Sequence, residues 1–150
     1  MLECIVMEKI KKREGTIFMA SVVLNAYRVE DVQFRNVLET GVQIKLENKY
    51  SFNMKYDREN KCVGTFAVEV YDKDNPDKFY VKARIAAFYT YAEGMEKDKV
   101  HRAAFKEVFP YAKALVTTVS ANGGVPPIIL PAVDIDSQSI YRFDLGKQSQ

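Results

Sequence analysis

The chain has 150 residues, of which 47% are hydrophobic and 28% charged, with a formal net charge of +2. That length fits one domain able to bury roughly 70% of its unfolded surface without disulfide staples. The near-neutral balance gives little electrostatic reason for nucleic-acid or membrane-surface binding, and no apolar run has the length of a membrane helix.

The N-terminal stretch MLECIVMEKIKKREG is not ordered like a signal peptide, because its charges follow the apolar patch and Glu3 interrupts it. Residues 1–18 read as an extension of the domain at 19–145. They are either a short strand or arm added to the domain, or not part of the native chain, with Met19 the true start. Cys4 and Cys62 form no CxxC or zinc pattern and read as reduced thiols of a cytoplasmic protein.

A first strand is predicted over 22–34, with the alternation slipping near Glu30-Asp31, where a bulge or crossing is expected. Residues 42–56 carry the cleanest period of two. Val42, Ile44, Leu46, Tyr50, Phe52, Met54 and Tyr56 fall on even positions, with Asn48 the exception, and polar residues fill the odd ones. Such a pattern is a long strand with one dry face. A turn at 57–61 leads to a strand at 63–71, where Phe66, Val68 and Val70 share a face. Asn75-Pro76-Asp77 turns the chain again, and 79–91 alternates to its end. Four antiparallel strands with short turns form a meander with one face in need of cover.

The cover is a helix over 99–121, with Phe105, Val108, Phe109, Ala112, Leu115, Val116 and Val119 at helical spacing. Pro110 predicts a break or kink in it. A second stripe, Tyr111, Ala114, Thr118 and Ala121, is mostly small. Small side chains let another helix approach, so these four residues are the expected oligomer contact; the other interpretation is a weakly polar solvent face. Asn122-Gly123-Gly124 ends the helix through the left-handed cap that glycine permits. An extended strip with Pro126, Pro127 and Pro131 follows, yet Val125, Ile128, Ile129, Leu130 and Val133 must still leave water. Asp134 or Asp136 can cap a short last helix carrying Ile140, Tyr141 and Phe143. Residues 146–150 read as a frayed tail. The expected class is α+β: a four-stranded antiparallel sheet covered by a long helix, with a short C-terminal helix.

No catalytic constellation stands out, and no metal or cofactor is expected. His101, the single histidine, reads as a solvated helix residue, since a general base needs a positioned nucleophile or orienting partner. Asp72, Asp74 and Asp77 form an acidic turn that Lys73 and Lys78 neutralise. One enzyme alternative remains, a hot-dog-type thioesterase with Glu107 as its helix carboxylate, although a helix placed after the sheet fits that fold poorly.

Phe109-Pro110-Tyr111-Ala112, followed by Gly124, Pro127, Leu130, Val133 and Asp136, resembles the SecB export chaperone family in its long helix and in the connection to its last helix. Val42-Gln43-Ile44-Lys45-Leu46 is similar to the start of the family's second strand. The resemblance runs from about Leu24 to Phe143. It implies a homotetramer, a dimer of dimers, acting as an ATP-independent holdase whose grooves receive unfolded preproteins. A client groove would then draw on Phe34, Val42, Ile44, Leu46, Leu130, Ile140 and Phe143; ordinary core is the competing role for each. The family presents outer-face carboxylates to the motor SecA. Asp31 keeps one such position, whereas Arg35 and Lys82 reverse the charge at two others and the acidic tail is missing, which argues against docking on SecA in the usual way. A chaperone dedicated to one partner, such as an antitoxin, is the alternative to a general or export holdase.

Overall fold

The computed structural model describes residues 22–137. One antiparallel sheet contains β1 (Val22–Asn36), β2 (Leu46–Tyr56), β3 (Lys61–Asp72) and β4 (Phe79–Tyr91), in the order β1-β4-β3-β2. The helix α1 (Lys97–Asn122) lies across one face, and an extended strip leads from it to a single 3-10 turn, Ile135–Ser137. The α+β class expected from the alternation is the one found.

Period two sorts the faces. Phe66, Val68, Val70, Val81, Ile85 and Tyr89 turn toward α1 and are buried, whereas Lys82 and Arg84 stay on the open side. Val100, Ala104, Phe105, Val108, Ala112 and Val116 of the helix complete the core. At its centre the Phe105 ring lies within 5.3–5.8 Å of the rings of Phe109, Phe66, Tyr50 and Phe52. Burying a side chain of this size contributes about 1.5–3 kcal/mol, so this cluster outweighs any single polar contact in the domain.

The expected slip in β1 is a register shift between Val29 and Asp31, and a second one falls between Leu24 and Ala26. The bulged residue is Glu30, whose carboxylate meets Arg84 at 3.2 Å and Arg28 at 3.3 Å.

Two expectations are corrected. β2 begins at Leu46, so Val42 and Ile44 precede it. The reason lies across the ladder: β3 ends at Asp72, whose carboxylate takes the Lys45 N–H at 2.7 Å and also the Asn75 N–H and Nδ2. With its oxygens committed there, Asp72 clamps the turn instead of offering a cation site. Of the break or kink expected at Pro110, the break does not occur, since α1 runs on through it. It is exposed, so the carbonyl one turn earlier, which loses its donor, sits on the wet side of the helix. The described chain ends in the turn at Ile135–Ser137, where the Asp134 carbonyl accepts the Ser137 N–H and hydroxyl; the helix expected after Asp134 or Asp136 lies outside the described residues. Residues 1–18, Met19, Cys4, Ile140, Tyr141, Phe143 and the tail at 146–150 lie outside the described residues.

Candidate functional site

The prolines keep the strip out of both helix and sheet, so its backbone borrows partners from α1. Ser120 Oγ accepts the Ile128 N–H at 2.8 Å, and Thr117 Oγ1 donates to Ile128 O at 2.7 Å. Farther along, Arg102 donates to Ile135 O, and Lys106 pairs with Asp136 at 2.8 Å. Tied at these points, the strip buries Ile128, Leu130 and Ile135, while Ile129 faces outward at 70% exposure.

The strip does not close onto the sheet. A shallow hollow of about 20 Å³ remains between them. Asn48 and Tyr50 of β2, Phe66 and Val68 of β3, Phe109 of α1, and Leu130, Pro131 and Val133 of the strip form its lining. An enclosed space of that size holds about one water, so the feature is a shallow dent in an apolar surface and not a cofactor pocket. Among the described residues its lining has no carboxylate, imidazole or thiol. Burial pushes the Tyr50 phenol above its ordinary pKa, which keeps it neutral. The hollow can therefore bind and desolvate, but it offers no acid–base pair.

The expected groove residues divide by position. Leu130 is buried and forms part of the hollow wall. Val42 and Leu46 are 43% and 45% exposed, and Ile44 is half-buried against the core, where the chain enters β2. Phe34 stands elsewhere. The register Asn48↔Val70, Val70↔Val81, Val81↔Phe34 puts it on the opposite edge strand, about 14 Å from Asn48 at ~4.8 Å per strand. There it packs edge-on against Phe79 at 6.0 Å. Tyr50, Phe109 and Val133 escaped the sequence-based groove set because apolar residues at regular spacing read as core. The available signal was Asn48, a polar residue in the dry register.

A second surface lies on the other flank of α1. Tyr111, Ala114, Thr118 and Ala121 are all exposed. The Tyr111 ring sits 4.8 Å from that of Tyr27 on β1. Tyr27, Val29 and Val32 share the helix side of β1, yet each stays about 40% exposed. The helix thus leaves an apolar border along one edge of the sheet.

His101 is half-buried, not solvated as expected, with its ring edge-on to Phe52 at 5.2 Å. Glu107 is exposed. On the open face, Lys82 lies over the Tyr80 ring at 4.5 Å, Arg35 is exposed, and Asp31 accepts from Gln33 at 2.8 Å. None of the described helices is long and apolar enough to cross a membrane.

No family model matches the chain. It is 27% identical over 121 residues to an uncharacterized protein of Methanocaldococcus jannaschii, a match spanning 73% of this chain and 76% of that one. In structure it is similar to a SecB-like chaperone of Mycobacterium tuberculosis, solved in complex with a ChAD peptide from the HigA1 antitoxin. That superposition has a TM-score of 0.61 at 14% identity and covers 84% of this chain and 98% of the other. The fold is SecB-like.

Proposed function

We propose that this chain, built on a SecB-like fold, is a non-enzymatic, ATP-independent chaperone that holds unfolded polypeptide in the cytoplasm. The observation that carries this is the apolar hollow, with the exposed Leu46 two residues along β2 from Asn48 in its wall. An unfolded client exposes side chains that gain about 1.5–3 kcal/mol each on full burial. One hollow is weak; several on one assembly raise avidity without new contacts. Val42, Ile44, Leu46 and Leu130 form the client surface, Ile140 and Phe143 are assigned to client contact from the sequence alone, and Phe34 would serve a separate contact on the far edge.

The assembly is a homotetramer, a dimer of dimers, joined through Tyr111, Ala114, Thr118 and Ala121 with the open flank of β1. Dedication to one polypeptide partner is favoured over a general export role. The similar mycobacterial chaperone is bound to an antitoxin peptide, and Arg35 and Lys82 carry the wrong charge for SecA. The thioesterase alternative loses its premise, since α1 lies on an open sheet and Glu107 is exposed.

The test is aggregation of a chemically unfolded reporter enzyme, followed by light scattering without ATP. Suppression at stoichiometric chain is expected; unchanged scattering in molar excess overturns the proposal. Pull-down from source cells then separates one partner from many.

A further inference from the structure

Ser120 is buried at the end of α1 and holds two separate pieces of chain. Its carbonyl accepts the Gly123 N–H at 2.9 Å, which closes the last turn of the helix. Its hydroxyl accepts the Ile128 N–H at 2.8 Å, which seats the strip. Asn122 stands directly before Gly123, exposed, with Nδ2 donating to Thr118 O at 2.9 Å. Of the seven asparagines in the chain, Asn122 alone precedes a glycine; the others precede Ala26, Val37, Lys49, Met54, Lys61 and Pro76. Asparagine is among the residues that fail chemically with time and heat. It does so when the next backbone nitrogen attacks its side-chain amide. A Cβ on that next residue crowds the attack, and glycine has none; proline has no N–H to give up.

In that reaction Gly123 N gives up its proton and bonds to Asn122 Cγ. The Cγ–Nδ2 bond breaks, and ammonia leaves with a proton in place of that bond. Water then opens the five-membered ring at either carbonyl. One opening gives aspartate, the other isoaspartate, in which the chain runs through Cγ. In the folded chain both partners are engaged, the nitrogen on Ser120 O and the carboxamide on Thr118 O. Both bonds must be given up before the nitrogen can reach Cγ. The bond that seats the strip ends on the same Ser120, so opening the last turn and freeing the strip are coupled.

We propose that Asn122 is a self-modification site gated by the last turn of α1: it loses ammonia only while that turn and the strip are released, and the product keeps them from seating again. A carboxylate at position 122 meets the negative end of the helix dipole, and the last turn of α1 carries no basic residue to offset it. Isoaspartate also adds one methylene to the backbone directly before Gly123, where the fit against Phe34 leaves no room for added atoms. The chain thereby records how long its strip has stood open. The site does not depend on the chaperone proposal.

The test incubates the full chain in warm, mildly alkaline buffer beside a synthetic peptide of residues 114–128. Mass spectrometry of the tryptic digest follows the change from amide to acid, and chromatography resolves isoaspartate. The peptide should convert at least ~tenfold faster than the chain, because only an opened turn reacts. Ser120→Ala removes the hydroxyl that seats Ile128, and Thr117→Val removes the donor to Ile128 O. Either should speed conversion in the chain several-fold. After conversion the Ile128 amide of the parent chain should exchange its hydrogen faster than before. Equal rates in peptide and chain overturn the gate, and so do folded variants that convert at the parental rate. Equal conversion at another asparagine overturns the site, as does a chain that stays unmodified with both substitutions after the peptide is fully converted. Unchanged exchange at Ile128 after conversion overturns the effect on the strip, whether or not the variants fold.

Discussion

Gly123 and Phe34 fit each other closely: a methyl group on Gly123 would stand 2.4 Å from Phe34 Cζ. Gly123 has φ −94, which any residue can adopt, so glycine is required there for space and not for backbone freedom. The contact seats the end of β1 beneath the end of α1. Gly123→Ala should therefore destabilise the domain by about 1–3 kcal/mol through overpacking. In a Phe34→Ala background most of that cost should vanish, a coupling of about 1 kcal/mol or more in urea unfolding. Strict additivity of the two substitutions would mean that the ring does not sit there.

Core and client surface should separate under mutation. Phe66 is fully buried against Phe105 and Phe109, and Phe66→Ala should cost about 3–5 kcal/mol. Val42→Ser and Leu46→Ser act on exposed side chains and should shift unfolding by less than about 0.5 kcal/mol. The two serine variants should nevertheless lose client capture several-fold in the light-scattering assay. A serine variant that unfolds like Phe66→Ala would show its residue to be core.

Ala114 is exposed at the centre of the small-residue stripe. Ala114→Glu places a charge where a second copy is proposed to pack, and native mass measurement should show a shift to smaller species. The thermal midpoint of those species should change little. An unaltered mass would remove the stripe from the interface.

Asp72 links stability to pH. The Lys45 N–H, more than any other contact, holds its carboxyl below the usual range, and Asn75 adds two further donors. A folded-state pKa below the unfolded one means that the stabilisation is fully present above the unfolded pKa of about 4. It is lost as pH falls through the folded value. Asp72→Asn should lower stability at neutral pH and flatten its decline in acid, measured as unfolding free energy from pH 7 to 2.5. Parallel curves for the two proteins would refute the assignment.

Cys62 is 2% exposed, and burial pushes its thiol up to about 11. In a Cys4→Ser background, labelling by a disulfide reagent at pH 8 should be slow in the native chain and immediate in urea. Prompt native labelling would show that the region between β2 and β4 opens readily.

The strands were legible because alternation is a local property. The bounds of β4 and the slip at Glu30 can be read from consecutive side chains, since a strand exposes every second residue whatever it packs against. The helix was legible for the same reason. Whether Pro110 breaks the helix was not legible, because its cost depends on whether the carbonyl one turn earlier meets water, and only its exposure settles that. The start of β2 misled because alternation persists through Val42 and Ile44 although the ladder has stopped opposite Asp72.

Spacing along the chain was enough to set the element types, the dry face of the sheet, and a helix apolar on one flank and small on the other. Other relations exist only once the chain has folded. Leu130 and Val133 meet Asn48 and Tyr50 across a gap, Phe34 stands on the far edge, and Ser120 and Thr117 hold the strip in place. These relations join residues as many as 85 positions apart (48 to 133). Whether such side chains close over one another or leave room for a guest is set by packing distances of a few ångströms, which no pattern of residue types encodes.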